Sequence, residues 1–240
     1  MINQALILAG GLGTRLGEIT TKTPKPMVLV NKKPFLEFLV LSLKRHGIKK
    51  IIFSTGYLSE KISGYFGDGS SYGLNFLYVE ENEPLGTGGA LKFASPFLDK
   101  EFLVLNGDSF FDFDYRKLGK FLLTSPSSMV AMALKFEEDT QRFGQVVLNE
   151  KYVKGYIEKG VGSNSGLINT GVYLMKHEVL DILPEGFCSL EHDLFPKLVD
   201  DSLIVGLQFN GYFIDIGLPF ELKRAQTELS SWSVSNNLFN

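Results

Sequence analysis

The chain has 240 residues, of which 44% are hydrophobic and 21% are charged, and its formal net charge is −3. These values are ordinary for a globular protein and give no basic surface of the kind that nucleic-acid binding requires. The single cysteine, Cys188, excludes an internal disulfide, and we expect it to pack as a small residue. No apolar run approaches the roughly 20 residues of a membrane span, and the first residues lack the charged start of a signal peptide. We therefore expect a cytoplasmic protein.

The first half of the chain alternates short apolar runs with helical patterns. Short runs bounded by turn residues predict strands, and apolar residues spaced three and four apart predict helices. The predicted order is strand 4–9, helix 34–46, strand 50–54, helix 60–66, strand 75–80, helix 88–94 and strand 101–105. This alternation predicts right-handed βαβ units on a largely parallel sheet.

After a predicted helix at 115–124, the pattern changes to strands with short connections, which indicates antiparallel pairing. Strands are predicted at 129–136, 146–149, 153–158 and 167–175, with helices at 178–183, 191–200 and 220–229. The predicted fold class is α/β: a doubly wound, mostly parallel, Rossmann-like sheet with an added antiparallel portion. Since no linker separates the halves, we predict one domain over residues 1–229, followed by a short polar tail at 230–240 that frays.

A glycine-rich turn follows the first predicted strand, in the segment LAGGLGTRL at 8–16. Glycine lets backbone N–H groups approach a phosphate without a Cβ in the way. The segment lacks the P-loop signature, and its glycines miss the dinucleotide-binding spacing by one residue. No acidic residue ends the second strand to hold an adenosine ribose, which disfavours a nicotinamide-dependent oxidoreductase. The turn carries Arg15, and Lys25 follows between two prolines. Two cations beside a glycine turn suit the binding of a triphosphate that undergoes nucleophilic attack, more than a dinucleotide that is only held.

Two acidic residues lie at or beside predicted strands. Asp108 follows a buried-looking strand in LNGD, and Asp215 lies between apolar residues in FIDIG, where an unpaired charge is costly. Open α/β sheets place ligand groups at the carboxyl ends of their strands, although Asp108 could also simply form a turn. Two acids at strand ends suit a shared Mg²⁺. Asp112 and Asp114 lie nearby, and we expect them to cap the helix that follows.

The order and spacing of these segments resemble the sugar-1-phosphate nucleotidylyltransferases, from about residue 4 to 226. The segments that carry the resemblance are LAGGLGTRL, PKPM, EPLGTGGAL, LNGDSFFD, EKG, NTGVY and FIDIGLP. The resemblance implies that a sugar 1-phosphate attacks the α-phosphate of a nucleoside triphosphate and releases pyrophosphate. It also implies that Arg15 and Lys25 are catalytic cations and that Asp108 and Asp215 hold Mg²⁺. The attacking phosphate is already ionised, because its second pKa is about 6, so no general base is required.

The resemblance assigns further residues to the two substrates. The implied nucleotide site consists of Leu8, Ala9, Gly10, Gly11, Gly13, Thr14, Glu81, Gly86, Thr87 and Gly88. The implied sugar-phosphate site, in the added portion of the fold, consists of Asp108, Gly144, Glu158, Lys159 and Asn169. From the sequence alone, the turn at 86–88 could equally be a tight connection. Gly160 and Leu218 stand where the family usually has proline and threonine, which puts local contacts in doubt.

Within the family, the segment EENEPLGTGGALK at 80–92 is most similar to guanylyltransferases that act on D-glycero-D-manno-heptose 1-phosphate for bacterial surface polysaccharide. Glu81 could accept hydrogen bonds from both N1–H and the amine of guanine, or it could be solvated while backbone groups select the base. Mannose 1-phosphate guanylyltransferases and glucose or N-acetylmuramate 1-phosphate uridylyl- or thymidylyltransferases share nearly every motif. A non-catalytic relative that binds nucleotide sugar is a further alternative. With no room for a β-helix domain, we expect a monomer or a small homo-oligomer.

Overall fold

The computed structural model of the chain describes residues 2–11, 13–157 and 165–239. These residues fall into two units that alternate along the chain. The first unit comprises Asn3–Pro84, Leu105–Asp112 and the chain from Phe213 onward, and the second comprises Leu85–Val104 and Phe113–Tyr212 together with Ile2. None of the helices in these described ranges is long and apolar enough to cross a lipid bilayer.

The secondary structure of the described residues consists of short strands and mostly short helices. The strands are β1 (Gln4–Leu8), β2 (Leu29–Val30), β3 (Lys33–Pro34), β4 (Lys50–Thr55), β5 (Asn75–Glu80), β6 (Glu101–Asn106), β7 (Ser109–Phe111), β8 (Val130–Glu137), β9 (Gln145–Asn149), β10 (Tyr152–Ile157), β11 (Gly166–Lys176), β12 (Ile204–Gln208) and β13 (Phe213–Asp215). The α-helices are α1 (Phe35–Arg45), α2 (Ser59–Phe66), α3 (Gly86–Phe93), α4 (Arg116–Leu123), α5 (Phe195–Asp200) and α6 (Pro219–Ser235). Short 3-10 segments lie at Thr14–Thr20, Lys25–Met27, Ser70–Tyr72, Ser95–Phe97 and His177–Asp181, and a π-helical turn lies at Leu190–Leu194.

In the first unit, β5, β4 and β1 lie side by side in that order and pair in parallel. β1 is a nearly continuous apolar run whose Ala5, Leu6 and Ile7 are fully buried, as is typical of a parallel strand that is covered on both faces. α1 connects to β4 and presents a buried stripe that includes Phe35 and Leu39. The predicted alternation of parallel strands and helices is confirmed in this unit.

In the second unit, the strand order is β6, β11, β8, β12, β10, β9. β8 pairs antiparallel with β11 and parallel with β12, and β10 pairs antiparallel with β9 and β12. The predicted change to antiparallel pairing is confirmed. Strand pairing in this unit is therefore mixed, parallel and antiparallel. The predicted α/β class holds, but the prediction of a mostly parallel sheet fits only the β5–β4–β1 strands of the first unit.

β7 and β13 form a separate two-stranded antiparallel ribbon within the first unit. Ser109 lies opposite Asp215, Phe110 opposite Ile214 and Phe111 opposite Phe213. The sequence did not predict β7, because three residues are too few to display a period of two. This short ribbon carries the candidate site.

The C-terminal segment differs from the frayed polar tail that we predicted. α6 continues to Ser235 rather than ending at residue 229. Along it, Leu222, Ala225, Leu229 and Ser233 are buried at spacings of three and four, so the helical period extends through the serine-rich stretch. Serine composition hid this period, since the buried position in that stretch is Ser233 and Trp232 is only partly buried.

Candidate active site

The β7–β13 ribbon brings together the two aspartates that the sequence singled out. Asp108 lies immediately before β7, and Asp215 is the last residue of β13, opposite Ser109. The Ile216 N–H donates to the Asp108 carbonyl oxygen at 2.9 Å. Ser109 Oγ lies 3.3 Å from both Asp108 Oδ1 and Asp215 Oδ2. Since a hydroxyl carries one proton, Ser109 donates to one of the two carboxylates at a time.

The Lys25 ammonium lies against this pair of carboxylates. Its Nζ donates to Asp108 Oδ2, and the two side chains are 13% and 32% exposed. The Gly217 N–H donates to Asp215 Oδ1 at 2.5 Å. A Cβ at position 217 would lie 2.6 Å from that oxygen and 3.2 Å from Lys25 Nζ. Glycine at 217 therefore lets the carboxylate and the ammonium approach the same stretch of backbone.

The electrostatics of the pair favour a bound cation. Burial, and next the neighbouring Asp108 carboxylate, raise the pKa of Asp215 above its ordinary value. The Lys25 ammonium and the hydrogen bonds from Gly217 N–H and Ser109 Oγ act in the opposite direction. Two close carboxylates of which one is poorly solvated repel each other, and positive charge placed between them relieves that repulsion.

The donor set fits Mg²⁺ in particular. Among the described residues, no group of three or more His, Cys, Asp or Glu side chains is gathered in one place. A cation at the ribbon would therefore have the carboxylates of Asp108 and Asp215 as its protein ligands. Mg²⁺ is commonly held by one or two carboxylates together with substrate phosphates. The two aspartates, whose like charges repel each other, suit that mode of binding.

The glycine-rich turn after β1 is a neighbour of this cluster. The Gly107 N–H donates to the Leu8 carbonyl oxygen at 2.9 Å, and a Cβ at Gly107 would lie 2.7 Å from the same oxygen. Gly13 adopts the left-handed conformation with φ of 65°, and a Cβ there would lie 3.0 Å from Lys25 Cβ. The turn that was predicted to hold phosphate and the predicted catalytic lysine are thus brought together.

Arg15 lies in the 3-10 segment Thr14–Thr20 that follows this turn. Its side chain is exposed and forms no hydrogen bond or ion pair with any residue in the described ranges. Thr20 holds the segment in place, since its hydroxyl lies within hydrogen-bond distance of two carbonyl oxygens, those of Gly13 at 3.0 Å and Gly17 at 3.1 Å, and donates to one of them at a time. The guanidinium therefore stands on a fixed turn and has its donors directed to solvent. Gly11 and Thr14 are exposed beside it.

Glu81 lies directly after β5, next to the same turn. Its Oε1 accepts a hydrogen bond from Ser54 Oγ at 2.7 Å, and its N–H donates to the Thr55 carbonyl oxygen at 2.8 Å. A Cβ at Gly10 would lie 3.1 Å from Glu81 Oε1, and the Ala9 N–H donates to the Ser54 carbonyl oxygen at 2.8 Å. The carboxylate is therefore placed beside the nucleotide turn and is held there by Ser54. Its contact with a base stays a prediction.

In the second unit, the glycines at 86 and 88 are explained by close packing. A Cβ at Gly86 would lie 2.5 Å from the Cys188 carbonyl oxygen, and one at Gly88 would lie 2.8 Å from Cys188 Sγ. The Gly88 N–H donates to the same carbonyl oxygen at 2.8 Å. Thr87 Oγ1 accepts from the Leu190 N–H at 2.9 Å and donates to Glu191 Oε2 at 3.1 Å. Close packing against Cys188 therefore accounts for the glycines of this turn, as expected if the turn is a tight connection. Contact between the turn and a nucleotide stays a prediction. Cys188 is buried, which raises its pKa.

Two of the predicted sugar-site residues, Gly144 and Asn169, belong to the second unit, whereas Asp108 belongs to the first. Asn169 Nδ2 donates to Tyr173 Oη at 2.7 Å, and Asn169 Oδ1 accepts from the Gly171 N–H at 3.0 Å, at an irregularity in β11. A Cβ at Gly144 would lie 3.3 Å from the Ile157 carbonyl oxygen, so larger side chains would be crowded. Glu158 and Lys159 lie outside the described residues.

Two residues at the site were missed or misassigned from the sequence. Ser109, which is buried and contacts both carboxylates, could have been found only from its position directly after Asp108. Asp112 does not cap α4, because its carboxylate is paired with Arg45 and Trp232. Asp114 does lie at that helix start, where it accepts from the Arg116 N–H at 3.1 Å.

The sequence profile of the nucleotidyl transferase family matches residues 4–231, and the chain belongs to that family. It is 42% identical over 220 residues to the D-glycero-alpha-D-manno-heptose 1-phosphate guanylyltransferase of Campylobacter jejuni, covering 90% of this chain and 95% of the relative. The enzyme of the same name from Aneurinibacillus thermoaerophilus is 37% identical over 232 residues, covering 95% of this chain and 99% of the relative. The crystal structure of HddC from Yersinia pseudotuberculosis, complexed with GMP-PN, superimposes with a TM-score of 0.83 at 33% identity. That match covers 95% of this chain and 100% of HddC. The predicted family membership is confirmed.

Proposed function

We propose that the protein transfers a guanylyl group from GTP to D-glycero-α-D-manno-heptose 1-phosphate and releases pyrophosphate. The similarity to two heptose 1-phosphate guanylyltransferases over almost their whole length supports this choice of substrates. The observation that carries the proposal is the cluster of Lys25, Asp108 and Asp215 beside the glycine turn. The product of the proposed reaction would be an activated heptose of the kind used to build bacterial surface polysaccharide.

In the proposed reaction, an oxygen of the heptose 1-phosphate attacks the α-phosphorus of GTP. The bond between the α-phosphorus and the oxygen that bridges to the β-phosphate breaks, and pyrophosphate leaves with that oxygen. The nucleophile is already ionised near neutral pH, so catalysis consists of positioning and charge stabilisation. The principal barrier that the protein must lower is the repulsion between two polyanions.

Lys25 and Arg15 supply the cations for this task. We propose that Lys25 leaves Asp108 and bridges the α-phosphate and the sugar phosphate, which its partly exposed position allows. Arg15 contacts the β- and γ-phosphates, where its planar fork of donors can bind two oxygens at once. Its exposure on a turn that Thr20 holds in place supports this role. Backbone N–H groups from Leu8 to Thr14 complete the phosphate site.

We propose that Asp108 and Asp215 hold Mg²⁺. The ion, when bound, offsets phosphate charge and helps align the attacking and leaving oxygens. Ser109 Oγ lies 3.3 Å from an oxygen of each carboxylate and can donate to either one. Burial, and next the neighbouring Asp108 carboxylate, raise the pKa of Asp215, and a bound cation would offset both of these costs of its charged form.

The remaining predicted residues select the base and the sugar in this proposal. Glu81 accepts from N1–H and the amine of guanine, and Ser54 fixes the orientation of its carboxylate. Gly86, Thr87 and Gly88 line the base. On the sugar side, Glu158 accepts hydrogen bonds from hydroxyls, Asn169 binds a further hydroxyl, Lys159 contacts the phosphate, and Gly144 leaves space for the ring.

The test is pyrophosphate release by the purified protein across a grid of GTP, UTP, dTTP, CTP and ATP against heptose, mannose, glucose and N-acetylmuramate 1-phosphates. We expect the highest kcat/KM for GTP with the heptose, and loss of activity in the Asp215→Asn protein. A preference for UTP or dTTP would overturn guanylyl transfer. Activity with GTP and mannose 1-phosphate but not the heptose would overturn the sugar only.

A further inference from the structure

The single tryptophan of the chain, Trp232, lies in α6 behind the β7–β13 ribbon. Its indole N–H donates to Asp112 Oδ2 at 3.0 Å, and its ring meets Phe110 edge-on with centroids 4.7 Å apart. Arg45 Nη2 donates to the other oxygen, Asp112 Oδ1, at 2.7 Å, and Arg45 Cζ lies 5.4 Å from the centroid of the Trp232 ring. One indole thus makes a hydrogen bond, an aromatic contact and a cation–π contact.

Two of the groups that Trp232 contacts, Phe110 and Asp112, lie in β7 and just past its end, and β7 begins at the carboxylate cluster. Phe110 follows Ser109 in β7, and successive side chains of a strand point to opposite faces. Ser109 therefore faces the carboxylates while Phe110, which is fully buried, faces Trp232. Asp112 lies just past the end of β7. One side of the ribbon presents Asp108 and Asp215, and the other side rests on Trp232.

The same helix is joined to the second strand of the ribbon through the chain. α6 begins at Pro219, shortly after Asp215, and returns Trp232 to β7 near its other end. An isolated two-stranded ribbon is only marginally stable in water. A ribbon that also holds two like charges close together requires support from outside its own hydrogen bonds. α6 supplies that support to both strands.

We propose that Trp232 is a positioning residue for the Asp108–Asp215 pair, and that cation binding at the pair is coupled to the indole. The inference rests on the proposed function, in which these two carboxylates hold Mg²⁺. Trp232 acts through Phe110 and Asp112, which fix the strand, and it does not touch the substrates. Outer groups that orient metal ligands typically contribute about 10- to 100-fold to metal affinity or activity.

The first measurement uses the fluorescence of the native chain, in which all tryptophan emission comes from Trp232. We expect Mg²⁺, added to the protein with and without GTP, to change this emission along a saturable curve. The dissociation constant should match the value from calorimetry. The Asp215→Asn protein should lose this Mg²⁺-dependent change in emission. The Asp114→Asn protein is the matched control, because Asp114 pairs with Arg116, and it should keep the change in emission. Calorimetric binding without any change in emission would overturn the coupling.

The second measurement compares Mg²⁺ affinity by calorimetry in variants of the hydrogen-bonded pair Trp232 and Asp112, which we call the clamp. Trp232→Phe keeps an aromatic ring but removes the N–H donor, and Asp112→Asn removes the charge that pairs with Arg45. We expect each variant to weaken Mg²⁺ binding by about tenfold, with a thermal midpoint close to that of the native protein. Val234→Ala, at a position of α6 that is 75% exposed, serves as the control and should not change the affinity. Native affinity in both clamp variants would overturn the positioning role.

The outcomes separate this inference from the proposed function. Guanylyl transfer by the native protein together with native Mg²⁺ affinity in the clamp variants would leave the function standing and refute the role of Trp232. Coupled Mg²⁺ binding without transfer to any sugar phosphate would refute the function and leave the positioning role standing. Failure of the native protein to bind Mg²⁺, with or without GTP, would refute the role of Trp232 together with the assignment of the carboxylate pair.

Discussion

Replacing Lys25 with methionine should strengthen metal binding while it abolishes most of the activity. In the protein without substrates, the Lys25 ammonium donates to Asp108 and therefore competes with a divalent cation for that carboxylate. The two side chains are 13% and 32% exposed, so solvent weakens the pair, and we assign it about 1–1.5 kcal/mol. That free energy corresponds to roughly tenfold in a dissociation constant. Turnover should fall by about 10²- to 10³-fold, as is typical when a group that stabilises transition-state charge is lost.

The assay is calorimetric titration of Mn²⁺ or Mg²⁺ into the nucleotide-free protein, with initial rates of pyrophosphate release measured in parallel. Lys33→Met is the matched control, because it removes the same charge from a lysine that pairs with Glu37 at 3.4 Å. We expect the control to keep the native metal affinity and rate. Metal binding that is unchanged or weaker in the Lys25→Met protein would refute the competition between the ammonium and the cation.

Three further predictions concern the same cluster. Asp108→Asn and Asp215→Asn should each lower turnover by several orders of magnitude, while the circular dichroism spectrum stays native. Near-native turnover of either variant at limiting Mg²⁺ would remove the replaced aspartate from the set of metal ligands. Arg15→Lys should lower kcat more than it raises KM for GTP, because a point charge cannot replace a planar fork of donors, and a change in KM alone would make Arg15 a binding residue only. Gly217→Ala should raise the Mg²⁺ concentration for half-maximal rate, because the new Cβ would lie 2.6 Å from Asp215 Oδ1 and displace it. An unaltered Mg²⁺ response would show that the position of Asp215 is not critical.

Much of the fold could be predicted where burial follows a simple period. β1, β4 and β5 are apolar runs between turn residues, and the sequence located each to within a residue at either end. The change to antiparallel pairing was visible because the connections shorten. β7 was not predicted, since three residues are too few to display a period of two. β12 was also missed, although its five residues equal β1 in length. The extension of α6 was hidden because serine occupies positions that face the core.

The candidate site was predicted in part, for reasons that its contacts make clear. Asp108 and Asp215 were paired correctly because both were expected at strand ends, although β7 itself was not foreseen. Asp112 was assigned to the wrong partner, since its contacts with Arg45 and Trp232 join segments far apart in sequence. The glycines at 86 and 88 were ambiguous because close packing against Cys188 and close approach to a ligand both exclude a Cβ.

In the proposed function, the Asp108–Asp215 ribbon and the glycine turn catalyse guanylyl transfer to a heptose 1-phosphate. The most direct test is ³¹P NMR of the native protein and the Asp215→Asn protein incubated with GTP, Mg²⁺ and D-glycero-α-D-manno-heptose 1-phosphate. We expect the native protein to convert the two substrates into equal amounts of pyrophosphate and GDP-heptose, and the Asp215→Asn protein to form neither at a comparable rate. Release of inorganic phosphate in place of pyrophosphate, or equal product formation by both proteins, would refute the proposed reaction.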